Sequence, residues 1–562
     1  MNIRNYIIFC FCTCWYNFAN AQLNALYIPP VLNGPVYNLN MQHGTHMFSF
    51  LVNSATMGFN GPVLGPTLIM QAGQQVYMNV TNSIGEPTTV HWHGMHVQAE
   101  NDGGPHTVID PNTTWTPSFT ILDKAGTYWY HPHLHDSTTK HVAKGLAGII
   151  IVKDAEEAAL SLPRTYGVDD FPLIIQTKAI DGSGVIQYTG TNTNADNKLM
   201  VNATYSPQLD VPQQYVRLRI LNASVQRVFN LGLSNNFSFY HIGTDGGLKA
   251  TRAVVTRIKL APGERAEIVV PFNIYSIGTS LQLVSYAASL PNGTWGATLP
   301  WIGGPNGTAP PGYSPNFMNG ANFNILYFNV VAQTASPVLS IPVNLATVTP
   351  IPEASATVTR NKYLFAGDGG GVKIGSTSSA ASANAFSLTT IDDIIPLNSI
   401  EIWTLHGSFN MYHPFHIHDI QFYILDRRDS NNVIIPLTSN EIGRKDVVFV
   451  GPKETVRFIT KFDDFWSDVP YMYHCHITVH EDKGMMKQFI VTRRIYVDKN
   501  YGGLELGTIT FPFNTLREAI NAATDGTTIY FISSGTHEEL TSDLITLKKI
   551  TIKVLNGGVT VK

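Results

Sequence analysis

Charge is scarce in this 562-residue sequence. Asp, Glu, Lys and Arg make up 14%, and 36 basic residues against 40 acidic ones leave a formal charge of -4. No basic patch stands out, so nucleic acid is excluded as the expected partner. Long apolar runs are missing too. The nearest, Tyr6 to Phe18, is about 13 residues, short of the roughly 20 needed to cross a bilayer, so no membrane span is expected. Cysteine is rarer still: Cys10, Cys12 and Cys14, and then none until Cys475.

The first three cysteines lie in a segment that reads as a secretory signal. Arg4 precedes the apolar stretch, and Ala19-Asn20-Ala21 makes a small-residue cleavage site before Gln22. The expectation is a leader over 1–21 and export to a periplasm or the extracellular space. No Cys follows the small residues, which excludes a lipoprotein. The exported chain would keep one cysteine, and no disulfide, where disulfides form. That lone thiol needs a reason.

Hydrophobic residues at 44%, with 46 Gly and 32 Pro, indicate a globular chain of short strands and turns. At about 150 residues per domain the length predicts three or four units. Strand-like runs recur between turn clusters without helical periods, as in Val76 to Val80 and Val216 to Leu221. The prediction is an all-β protein of three sandwiches over 22–154, 155–335 and 357–494, with an Ala/Ser/Pro-rich linker at 336–356. The tail, 495–562, differs. Leu516 to Ala523 reads as a short helix, followed by strands at Thr527 to Ile532 and Ile550 to Val554. It resembles the opening of a secreted parallel β-helix, although a small β appendage fits as well. Solenoids need several stacked coils to bury a core, so two coils ending at Lys562 suggest a truncated chain or a capped stub. Such a tail could add contact with a polysaccharide or cell surface.

The histidines carry the chemistry. Four clusters contain H-x-H steps: His91-Trp92-His93, His131-Pro132-His133-Leu134-His135, His413-Pro414-Phe415-His416-Ile417-His418, and His474-Cys475-His476 with His480. Alternate side chains of a strand share a face, so each step offers two imidazoles together. In the last cluster Cys475 points away from His474 and His476. Cys475, His480 and Met485, with His413 as the natural second imidazole, make the His₂Cys plus axial Met set of a blue-copper electron-transfer site. A buried, inert cysteine is the ordinary alternative. Eight histidines remain, in four pairs, and could hold three copper ions. Cys475 is bonded directly to His474 and His476, which gives electrons a short covalent path.

This constellation resembles the multicopper oxidases, over about Gln22 to Arg494. HCHITVHEDKGMM and HPFHIH together are specific to it. HWHGMHVQAENDGGP, KGLAGIIIV and LAPGERAEIVVPF look most like the bacterial laccase and copper-efflux branch. The resemblance implies three cupredoxin-like Greek-key domains and four coppers, with one-electron oxidation of a small-molecule reductant coupled to reduction of dioxygen to water. By motif, His91 and His416 are expected to bind type 2 copper. His93, His131, His133, His418, His474 and His476 are expected to bind the type 3 pair, and His413, Cys475, His480 and Met485 type 1. In HPHLH either His131/His133 or His133/His135 could be the pair; the aromatic strand Tyr128-Trp129-Tyr130 favours the first. Asp102 falls where the family keeps an acid near the cluster and is expected to relay protons, although Asp before Gly-Gly is also an ordinary turn. Glu481 is expected to steer protons or tune His480, against the alternative of a solvated acid. The middle unit carries no copper motif and is expected to bridge its neighbours. The Met-rich insert of copper-efflux oxidases is missing, since only Met318 and Met411 lie between Met200 and Met472. A phenol-oxidising laccase is therefore the first expectation. A metal-ion oxidase, for Cu(I) or another ion, is the alternative in the same fold, and a surface-binding protein acting through the tail is the alternative outside it.

Overall fold

The computed structural model describes residues 23–561 except 50–51, 190–193, 303–309, 311, 314–315, 367–370, 409, 504, 506, 508, 510, 525 and 538–547. The expected leader, with Cys10, Cys12 and Cys14, lies outside the described residues. Strands dominate, and the longest described α-helices, Thr138–Lys144 and Leu516–Ala522, have seven residues each.

The first sandwich packs two five-stranded sheets. One runs in the order Val31–Asn33, Thr67–Gln71, Gly148–Lys153, Gly126–His131, His91–His93; the other is built around Val36–Ser49 and Gln75–Ser83. In Gln75–Ser83 exposure alternates, with Val76, Met78 and Val80 buried. That period of two buries one face of a strand and wets the other. The middle sandwich pairs an eight-stranded with a six-stranded sheet, and the third pairs two five-stranded sheets.

Two segments depart from the expected boundaries. Asn24–Ala25, assigned above to the first unit, instead pairs in parallel with Pro207 and Gln208 at the edge of the middle sandwich. The segment expected to be a linker runs along the middle sandwich: Tyr215 N–H donates to Val338 O (2.8 Å), and Leu345 N–H to Ala250 O (2.9 Å). Ile341 and Leu345 are buried there against Ile242, Leu248 and Val269, because apolar side chains in a connector gain by covering an apolar sheet face.

In the tail, Arg494–Val497, Thr528–Phe531 and Thr551–Val554 pair in parallel, as do Gly535–His537 and Val559–Val561. The helix Leu516–Ala522 opens on a Thr515/Glu518 capping box. Its Leu516, Ala519 and Ile520 close a small separate core with Ile495, Val497, Ile529 and Phe531.

Candidate metal centre

Strand pairing brings the histidines together twice in the same way. In the first sandwich His131 stands opposite His91; in the third His474 stands opposite His416, and Cys475 opposite Phe415. Trp92, between its two histidines, enters the first core, and Cys475 enters the third. The first and third sandwiches abut at these strands, so eight imidazoles meet in one buried space.

Their nitrogens sort into three groups. Nε2 of His133, His418 and His474 form a triangle with sides of 3.0, 3.2 and 3.4 Å. His93 Nδ1 lies 3.4 Å from His131 Nε2 and 3.3 Å from His476 Nε2. The remaining two, His91 and His416, donate Nδ1–H to the carbonyls of Asp102 (2.9 Å) and Asp446 (2.8 Å). That leaves their Nε2 atoms buried without a hydrogen-bond partner.

Burial and mutual repulsion hold His93, His131, His133, His416 and His474 well below the usual imidazole range. His418 is pushed down to about 4 and His476 to about 3, again chiefly by burial. Neutral imidazoles with lone pairs converging on common points are the form in which histidine binds a metal. A buried nitrogen left unpaired costs about 1–3 kcal/mol. Cations placed among these atoms would remove that cost, so the donors fit metal ions.

A fourth group lies on the other side of the strand Tyr471–Cys475. Cys475 Sγ is 3.5 Å from His413 Nδ1 and 3.6 Å from His480 Nδ1. Met485 is fully buried in the same core, its carbonyl accepting the Cys475 N–H (3.0 Å). Burial, with Glu481 nearby, pushes the thiol up, while burial pushes His480 down to about 3. Without a cation the thiol stays protonated. Thiolate, two imidazoles and a thioether are donors suited to copper.

Both expected carboxylates are buried. Asp102 ends the short helix Ala99–Asp102, where Gly103 turns the chain at φ +80°. Its Oδ2 accepts His418 Nδ1–H at 2.8 Å, and its Oδ1 is 3.4 Å from His91 Nδ1. Against the cost of burial, these two histidines hold Asp102 well below the carboxylate range. Glu481 is not the solvated acid allowed above, nor does it face His480. Successive helical residues point about 100° apart, and its oxygens lie 3.4 Å from Nδ1 of both His133 and His474. Thr138 donates to it at 2.7 Å, and burial pushes it well above the carboxylate range.

His135 stands apart, its ring against Phe386. His96 is also outside the cluster: against the cost of burial, Asp419 and Asp464 hold it well above the imidazole range. Met411 packs in the third core. Sequence reasoning missed Asp446, whose Oδ1 accepts His93 Nε2–H at 3.2 Å, and Arg265, which grips it. No spacing marks either one, and the histidine lies 353 residues from its acid.

Two multicopper oxidase family models match residues 40–157 and 357–494. The chain is 31% identical over 464 residues to a multicopper oxidase, mco, of Staphylococcus haemolyticus, covering 81% of this chain and 88% of the relative. It is 27% identical to the cell division protein FtsP of Photorhabdus laumondii, over 84% of this chain and 92% of the relative. Among solved structures, the laccase-like multicopper oxidase CueO of an Ochrobactrum species is 30% identical, with a TM-score of 0.70. The match covers 83% of this chain and all of that one, and that oxidase is described as acting on lignin model compounds and lignosulfonate.

Proposed function

Because the chain belongs to the multicopper oxidases, a copper oxidoreductase family of cupredoxin-like sandwiches, we propose that it is a laccase-type enzyme. In this reading it removes single electrons from phenolic or similar donors and reduces dioxygen to water. The observation that carries the reading is the convergence of eight buried imidazoles beside a lone Cys-His-His-Met set, joined through the backbone of His474-Cys475-His476. Copper held at these donors would supply the one-electron redox chemistry that links oxidation of the donor to reduction of dioxygen.

His413, Cys475, His480 and Met485 would hold type 1 copper, with the half-buried His480 nearest the solvent. His91 and His416 would hold type 2. His133, His418 and His474 would hold one type 3 ion, and His93, His131 and His476 the other. Asp102 anchors His418 and His91 through their Nδ1 atoms. Glu481, between His133 and His474 and bonded to Thr138, sits where a proton can be held next to the cluster.

Two observations favour a phenolic donor over Cu(I). Met318 and Met411 are both buried, so neither offers a thioether to a cuprous ion at the surface. The Ochrobactrum oxidase acts on lignin models. A purely structural role would leave the cost of the unpaired imidazoles unrecovered. Export to a periplasm or the extracellular space, and surface contact through the tail, belong to the same proposal.

The test is oxygen uptake by the copper-loaded protein with a methoxyphenol. Cys475→Ser is expected to lose the blue colour and at least about 100-fold in turnover, beyond the usual effect of altering a group behind the ligands. An active, blue Cys475→Ser protein would sink the reading. Uptake with Cu(I) but not with the phenol would replace the donor and keep the oxidase.

A further inference from the structure

The middle sandwich supplies none of the twelve donors, yet one of its arginines reaches the cluster. Arg265, on the strand Arg265–Pro271, is fully buried. Its Nη1 donates to Asp446 Oδ1 at 2.7 Å and its Nη2 to Oδ2. The guanidinium is itself fixed, Nη2 donating to Asp245 O (2.9 Å) and Nε to Thr127 O (3.1 Å). Asp446 in turn serves two histidines from different sandwiches. Its Oδ1 accepts His93 Nε2–H at 3.2 Å, and its carbonyl accepts His416 Nδ1–H at 2.8 Å.

The consequence for His93 is specific. Five other histidines whose Nδ1–H donates to an oxygen (His91, His131, His416, His418, His474) present Nε2 to the cluster. His93 presents Nδ1, which requires its proton to sit on Nε2. A carboxylate facing Nε2 accepts only, so it selects that tautomer. The space is also reserved: Gly94 has φ +85°, and a Cβ there would lie 2.4 Å from Asp446 Oδ2 and 2.6 Å from Arg265 Nη2.

We propose that Asp446, clamped by Arg265 of the middle sandwich, is a positioning residue that fixes the His93 tautomer and aims His416, so that docking of a domain without ligands decides whether the cluster can be metallated. The proposal rests on the copper reading above. Bidentate Arg–carboxylate pairing gives the clamp its directional precision, and hydrogen-bond partners behind metal ligands typically change metal affinity by about 10–100-fold when removed.

Asp446→Asn is nearly isosteric but cannot satisfy both neighbours. Whichever way the amide turns, its NH₂ meets a donor, either Arg265 Nη2 or His93 Nε2. The copper-loaded variant is expected to keep the blue type 1 signal. It should release cluster copper to a chelator at least about tenfold more readily and show an extra paramagnetic copper signal as the coupled pair is lost. Arg265→Lys, which keeps the charge but not the fork, carries the same expectation in weaker form should Asp446→Asn fail to fold. Asn440→Ala removes a single contact elsewhere on the same domain interface, the amide that meets Glu264 at 3.1 Å, and leaves the Arg265–Asp446 clamp and every ligand in place, so it should retain the wild-type copper signals. An unchanged Asp446→Asn spectrum overturns the proposal, as does equal copper loss in Asn440→Ala. A wild-type protein with no cluster copper would sink the oxidase reading as well.

Discussion

At the scale of single residues, what matters is which nitrogen of each ring is free. His133 and His135 lie two apart in HPHLH and are chemically alike, but only His133 enters the triangle with His418 and His474. His135 faces Phe386 and is 26% exposed. His133→Ala is therefore expected to lower the copper content of the loaded protein and abolish turnover, whereas His135→Ala leaves both unchanged. Metal analysis per chain separates them, and equal loss from both would refute the assignment. Glu481 makes the same point for acids. Its neighbour in sequence is His480, but it touches His133 and His474 because the helix turns between them.

At the scale of elements, the antiparallel pairs His91–His93 with Gly126–His131, and His413–Ile417 with Tyr471–Cys475, set the ligands in matching register. The segment that follows His91–His93 turns back through Gly103. A Cβ there would sit 1.8 Å from Val90 O and 3.0 Å from His91 Cα, at a φ that side chains disfavour. Gly103→Ala should cost at least about 1–3 kcal/mol of stability and displace Asp102 and His91 together. Denaturant midpoints and copper retention are the measurements. A variant as stable and as fully metallated as the parent would show that the turn has slack.

At the scale of the whole molecule, buried ion networks seal the middle sandwich against its neighbours. Glu267 receives Arg217 and Arg219 and takes a hydrogen bond from Thr127 of the first sandwich. Against the cost of burial, the two arginines lower its pKa from 4.5 to about 2. A carboxylate depressed on folding binds fewer protons folded than unfolded, so its stabilisation is complete above about pH 4.5 and is lost as pH falls toward about 2. Glu267→Gln should lose about 3–5 kcal/mol at neutral pH, the usual cost of breaking a buried pair. It should also show a shallower stability loss across that acid window. Urea midpoints at several pH values test this, and a variant with the parent's acid slope would contradict it.

Strand period, the turn clusters and the H-x-H spacings are local properties, so the all-β architecture and the set of residues that converge were legible from the amino acids in order. Cys475 between two histidines could be read as facing away from them because alternation along a strand depends on nothing beyond the strand. Other features depended on contacts between residues far apart in the chain. Asn24–Ala25 joined the middle sheet, Ile341 and Leu345 anchored the connector, Glu481 turned toward His133 and His474, and Asp446 reached His93 under the grip of Arg265. Each of these follows from which surfaces become buried together and which polar atoms must then find partners. That requirement exists only once the sandwiches have docked.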